Sequence, residues 1–238
     1  MEFDRPVAYK AEELMLYNAK PSLDSHALRT TINDTIQNAA IALKGVKIPQ
    51  YFALGTQVQD KRSVQITSEW DGIQNYANLE ATLEYSSFTD SVCNSCGKPD
   101  DIFHVVLSRP AFGSDGPVAA PVVEFVQSYF PASRVTPEFQ RRIEEDFARF
   151  DKIYKKGVKG DLGLSSGWVL EEQEHENIED EKAKCFIIAR GWESMDCFEQ
   201  SVQNDAYKEA IPILFAWNAP WKMWHVERKL LTGIEVAA

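Results

Sequence analysis

At 238 residues the chain has the length of one large domain or two small ones. Thirty-six acidic residues against 25 basic ones leave a net charge of −11, which excludes a phosphate-binding surface and with it nucleic acid or an anionic membrane as partner. No window approaches 18 apolar residues, and Met1-Glu2-Phe3-Asp4-Arg5-Pro6 lacks the basic start and apolar core of a signal peptide, so a cytoplasmic protein with four reduced cysteines is expected.

In chain order, residues 7–19 mix apolar and polar side chains as a strand does. After Pro21, Leu28, Ile32, Ile36 and Leu43 recur at spacings of four and seven, the stripe of a helix that Gly45 stops. Residues 51–57 and 63–70 read as a hairpin around Asp60-Lys61-Arg62, a helix carrying Tyr76, Leu79 and Leu83 follows, and residues 102–108 form a closing strand. Pro110, Gly113, Gly116 and Pro121 mark a linker. Residues 122–129 are then a strand. Thr136-Pro137 is an N-cap followed by proline at the first helical position, and Phe139, Ile143, Phe147 and Phe150 form the buried stripe of a helix running to Gly157. Residues 168–172 and 183–192 pair as strands, residues 195–214 make one helix, and residues 221–230 are the last strand.

The order β-α-β-β-α-β thus occurs twice, the ferredoxin-like plan. Trp70-Asp71 and Trp192-Glu193 each end a strand and open a helix, 122 positions apart; Phe103-His104-Val105 and Trp224-His225-Val226 repeat at an offset of 121. The chain reads as a tandem duplication, residues 1–115 and 116–238, of α+β class. One such unit leaves a sheet face bare, and two can bury those faces against each other as a pseudo-dimeric α/β barrel.

In this pattern the sequence resembles the dimeric α/β-barrel superfamily, in particular tandem antibiotic-biosynthesis-monooxygenase-like (ABM-like) domains. The family's best-known catalysts are cofactor-independent quinone-forming monooxygenases with an Asn four residues before the Trp and a Tyr six residues after it. Trp70 and Tyr76 keep the second spacing, whereas Ile66 and Ile188 stand at the Asn position and Phe198 replaces the Tyr. A related branch of stress-responsive barrels and polyketide cyclases uses a His near the second helix, and residues 79–88 and 206–215 contain none. The resemblance implies no cofactor, a hydrophobic small molecule as ligand, and either a self-sufficient single chain or a homodimer through the outer helices.

His104 and His225, at equivalent points of the last strands, are the candidate acid/base residues, because imidazole exchanges protons near neutrality. Each also suits a half-buried structural His. Trp192, Trp70, Tyr76, Trp168 and Trp224 are the candidate substrate-binding residues, and large aromatics serve equally as core. Phe215, Trp217, Trp221 and Trp224 fall within ten positions and read either as packed core or as the wall of a site for a flat apolar ligand.

Other motifs carry less. Gly163-Leu164-Ser165-Ser166-Gly167 fits the hydrolase elbow, yet a helix precedes it, a strand follows it, and its glycines read as a loop. Cys93 and Cys96 supply two of the four ligands zinc needs, so no metal is expected. The acidic run from Glu171 to Glu181 reads as a solvated hairpin tip. Five of the six Trp lie in the second half, and Cys185, Ile187 and Ala189 are apolar where Ser63, Gln65 and Thr67 are polar, which places the expected active cavity around Trp192 and His225. The expected function is a cofactor-independent cyclase/isomerase or monooxygenase acting on an aromatic or polyketide-like molecule; the alternative is a non-catalytic ligand-binding or stress-related barrel.

Overall fold

Side chains alternate between the two faces of a strand, and here most strands bury both. The structure, a computed structural model, describes residues 11–18, 51–70, 83, 86, 90, 99–113 and 115–232. It contains β1 (Ala11–Asn18), β2 (Tyr51–Gln57), β3 (Ser63–Trp70), β4 (Pro99–Leu107), β5 (Val122–Pro131), β6 (Asp161–Val169), β7 (Ala183–Trp192) and β8 (Trp221–Thr232). They close into an antiparallel barrel in the order β1-β3-β2-β8-β5-β7-β6-β4.

That order divides into β4-β1-β3-β2 and β8-β5-β7-β6, joined by the β2–β8 and β4–β6 ladders. The registers of the two runs correspond. Trp70 lies opposite Ala11, the first residue of β1, and Trp192 opposite Val122, the first of β5. His104 lies opposite Glu13 and His225 opposite Glu124. At the joining ladders Gly55 faces Arg228 and Gly167 faces Leu107.

Phe103, Val105, Phe125, Ile187, Trp224 and Val226 fill the barrel. The outer face of the second run is covered by α1 (Pro137–Tyr154), α2 (Met195–Ser201) and α3 (Asp205–Phe215). Thr136 caps α1 by accepting the Phe139 N–H at 3.2 Å, and the expected stripe Phe139, Ile143, Phe147 and Phe150 is buried against Phe186, Ile188 and Trp192. No helix among the described residues is long and apolar enough to cross a membrane.

Two expected elements differ. The strand expected at residues 168–172 is β6 and begins at Asp161, so the supposed Gly163–Gly167 loop is strand. Its glycines have strand duties. Gly163 has a φ of +126° beside a register shift, and a Cβ on Gly167 would lie 2.1 Å from the Val106 carbonyl oxygen. The single helix expected at 195–214 is α2 and α3, because Asn204 caps a new start by accepting the Tyr207 N–H at 2.7 Å. Cys93, Cys96 and the helix after Pro21 lie outside the described residues; of the helix carrying Tyr76, Leu83, Ser86 and Asp90 are described and are helical.

Candidate active site

Between the outer face of β5, β7 and β8 and the three helices lies a cavity of about 610 Å³, within the range of small-molecule sites. Its wall is largely apolar, with Phe147, Phe150, Ile188, Phe198, Ile211 and Trp217 prominent, and Phe215 and Trp221 are exposed at 64% and 58%. Glu124 and Arg190 are the only charged side chains in that wall among the described residues.

Strand register brings those charges together. Glu124 on β5 pairs with Arg190 on β7 and with His225 on β8, so the three form one cross-strand row beneath the helices. Arg190 is 2% exposed; it donates to Asp161 at 2.5 Å and to Asp151 of α1, and lies over the Tyr154 ring at 5.1 Å. Burial alone would lower its pKa, but Asp161, Asp151 and Glu124 outweigh that and push it up. Glu124 accepts the Trp192 indole N–H at 2.9 Å. Burial raises its carboxyl pKa, against the opposing pull of Arg190 and that hydrogen bond. Tyr154 is also pushed up by burial, although its hydroxyl is 2.5 Å from Ser201 Oγ. The polar end of the cavity is therefore a reluctantly ionised carboxyl group beside a guanidinium whose charge two aspartates already balance.

This fold has solved counterparts. A protein of Fusobacterium nucleatum provisionally named a monooxygenase matches with a TM-score of 0.56 at 11% identity, over 94% of each chain. One of Lactobacillus acidophilus, provisionally named likewise, gives 0.57 at 10% identity, over 95% of this chain and 96% of that one. An anthrone oxidase-like protein gives 0.56 at 12%, over 97% of each. At such identities the likeness is one of fold. No protein-family model matches the sequence, nor does any curated protein.

Both candidate histidines lie on the outer face, since Phe103, Val105, Trp224 and Val226 on either side of them point into the barrel. His225 is 1% exposed and stands one side chain behind the cavity wall, with the Phe198 ring 4.1 Å away. Gln59 receives its backbone N–H at 3.0 Å and meets Nδ1 at 2.8 Å. Burial lowers its pKa to about 4, so it is neutral at pH 7. His104 is held by Glu171, which accepts its backbone N–H at 2.9 Å and also bonds Nδ1. Glu171 is therefore no bare solvated charge, and its carboxyl pKa is lowered by these bonds despite partial burial.

Of the candidate tryptophans, Trp192 is fully buried and supports Glu124 from behind. Trp168 packs on Phe186 at 5.3 Å and donates to Glu144 at 2.9 Å. Trp224 points into the barrel, stacks on Phe125 at 5.5 Å and donates to Gln65 at 2.7 Å. Trp70 ends β3, and Tyr76 lies outside the described residues. Cys185, Ile187 and Ala189 also face the barrel rather than the cavity, so their contrast with Ser63, Gln65 and Thr67 concerns the shared core. Sequence reasoning passed over Glu124, Arg190 and Tyr154. The signal was a lone charge inside an apolar strand, Val123-Glu124-Phe125 and Ala189-Arg190-Gly191.

Proposed function

We propose that the chain is a tandem ferredoxin-like protein, residues 1–115 and 116–238 forming a pseudo-dimeric barrel, whose second half acts enzymatically on a flat aromatic or polyketide-like small molecule. Matched strand registers in the two runs support the duplication. The observation that carries the function is Glu124, a carboxyl group of raised pKa at the polar end of an apolar cavity. An acid whose pKa is raised toward neutrality can both take and return a proton.

In this reading Glu124 takes a proton from an acidic C–H of the bound molecule and leaves an enolate in a cavity poor in water. Return of the proton to a different carbon completes an isomerisation; if the enolate carbon instead attacks a carbonyl carbon of the same molecule, return of the proton to the resulting alkoxide oxygen completes a cyclisation. If dioxygen reacts instead, a ring methylene and one O2 give a ring carbonyl and one water; the names of the solved counterparts favour this version. His225, neutral and behind Phe198, is set back from the ligand, and His104 lies in the other half.

Anthrone, a tricyclic ketone with an acidic ring methylene, is a suitable probe. Under argon in D2O the protein should speed exchange of the methylene hydrogens by about 100-fold over buffer, and Glu124→Gln should abolish the gain. In air, anthraquinone should form. Quenching of tryptophan fluorescence without exchange would make the protein a ligand-binding barrel instead. Neither binding nor exchange would overturn the reading.

A further inference from the structure

The Gln59 clamp decides more than the orientation of His225. A backbone N–H only donates, so the Gln59 oxygen faces it and the amide nitrogen faces Nδ1. An amide N–H also only donates, so Nδ1 accepts and the neutral ring carries its proton on Nε2. That nitrogen is buried and meets no hydrogen-bond partner among the described residues. A buried N–H without an acceptor costs about 1–3 kcal/mol, which an acceptor brought to it would recover.

The surroundings narrow the choice. Gln59 occupies the Nδ1 side, and α2 presents the apolar Phe198 ring. Glu227, two residues along β8, is tied to Lys61 at 3.1 Å and Lys229 at 2.7 Å. Arg190 stands one strand beyond Glu124 and bonds Asp151 and Asp161. The group opposite His225 on β5 is Glu124, and cross-strand partners have Cβ atoms about 4.5–5.5 Å apart. The Trp192 indole N–H engages Oε2 of Glu124, so Oε1 is the oxygen that an Nε2–H would meet.

We propose that the His225 Nε2–H is the donor that receives the Glu124 carboxylate once Glu124 has given up its proton, and that Gln59 is the positioning residue that fixes this tautomer. His225 then acts through Glu124 and touches no ligand. It makes ionisation of Glu124 reversible in an apolar cavity without placing a second cation there. Gln59 belongs to the turn between β2 and β3, so the first half completes the site of the second. The inference rests on reading Glu124 as the proton-transfer group, but it is testable in the ligand-free protein.

The experiment is a carbon-13 NMR titration of the Glu124 carboxyl, assigned by its loss in Glu124→Gln, together with nitrogen-15 spectra of His225. Wild-type spectra should show Nε2 protonated and Nδ1 bare. His225→Asn keeps a polar group near Nδ1 but loses the Nε2 donor, and should raise the Glu124 titration by about one unit. His225→Gln puts an N–H near the Nε2 position and should restore the wild-type value. Gln59→Met keeps the imidazole and frees its tautomer, so it should also raise the titration and guards against misfolding of the His225 variants. A bare Nε2 in the wild type, or a Glu124 titration unmoved in His225→Asn and Gln59→Met, would overturn the proposal. Failure of anthrone exchange alone would count against the functional reading and leave these titrations unaffected.

Discussion

The strands carrying His104 and His225 are held by the same kind of clamp built from different chemistry. Glu171 and Gln59 each stand two residues past a strand end, Val169 and Gln57, and each bonds both the backbone N–H and Nδ1 of a histidine in the other run. The carboxylate accepts, so His104 carries a proton on Nδ1. The amide donates, so His225 keeps its proton on Nε2. Across the next two strands, His104 is followed by Glu13 and Ser68, and His225 by Glu124 and Arg190. The backbone plan is shared, and a few side chains give the two rows different electrostatics. Fold sets where such groups meet; it does not set what they do.

The severest way to break that contrast is to give the second row the serine of the first. Arg190→Ser takes the shared cation from the half-buried Asp151, Asp161 and Glu124, leaving Asp151 only Lys155 at 3.4 Å, and a loss of about 3 kcal/mol in denaturant unfolding is expected. A loss below 1 kcal/mol would mean that water already screens the site.

Next in size is acid destabilisation through His225. Its folded pKa, about 4, lies below the unfolded value near 6.5. Between those values the unfolded chain takes a proton that the folded protein refuses, so stability falls as pH drops, by about 3 kcal/mol in total. Gln59→Glu gives the second clamp the carboxylate of the first and should flatten this slope. Chemical denaturation at pH 7 and pH 4.5 measures both.

The seams sharpen the comparison. A Cβ on Gly55 would lie 2.4 Å from Val226 Cγ1 and 2.6 Å from the Glu227 carbonyl oxygen, and one on Gly167 would lie 2.1 Å from the Val106 oxygen. Gly55→Ala and Gly167→Ala should therefore each cost about 1–3 kcal/mol. Similar melting losses are expected if the two ladders that join the runs are equivalent. A large loss at one seam alone would show that they carry unequal loads.

Strands at 51–57 and 183–192 were legible as apolar runs, and that at 63–70 as an alternating one after the Asp60-Lys61-Arg62 turn. β6 was not, because glycines required by a bulge and a close strand approach look like loop glycines. The face occupied by the histidines was also hidden. Trp224 and Val226 beside His225 face the barrel core, and Trp221 and Met223 on its own face of β8 are apolar as well, so alternation is lost around it. Glu124 and Arg190, single charges on separate strands, carry no mark of each other in the sequence. Only the register shows that they stand side by side.

The smallest expected effect concerns the first clamp. Glu171 has a lowered pKa because it accepts two N–H groups of His104, and a lowered carboxyl pKa contributes stability above its unfolded value that is lost as pH falls through the folded value. The side chain is 41% exposed, so solvent screening limits the contribution to at most about 1 kcal/mol. Glu171→Gln reproduces the amide of the second clamp. Its oxygen can still take the backbone N–H, but its nitrogen then faces Nδ1 and forces His104 into the tautomer of His225. Wild type should lose slightly more stability than the variant between pH 5 and pH 3, and nitrogen-15 spectra should show the His104 proton moved from Nδ1 to Nε2. A changed tautomer with little change in melting would separate the electrostatics of the clamp from its mechanical hold. An unchanged tautomer would show that the β4 backbone, rather than the residue after β6, orients this histidine.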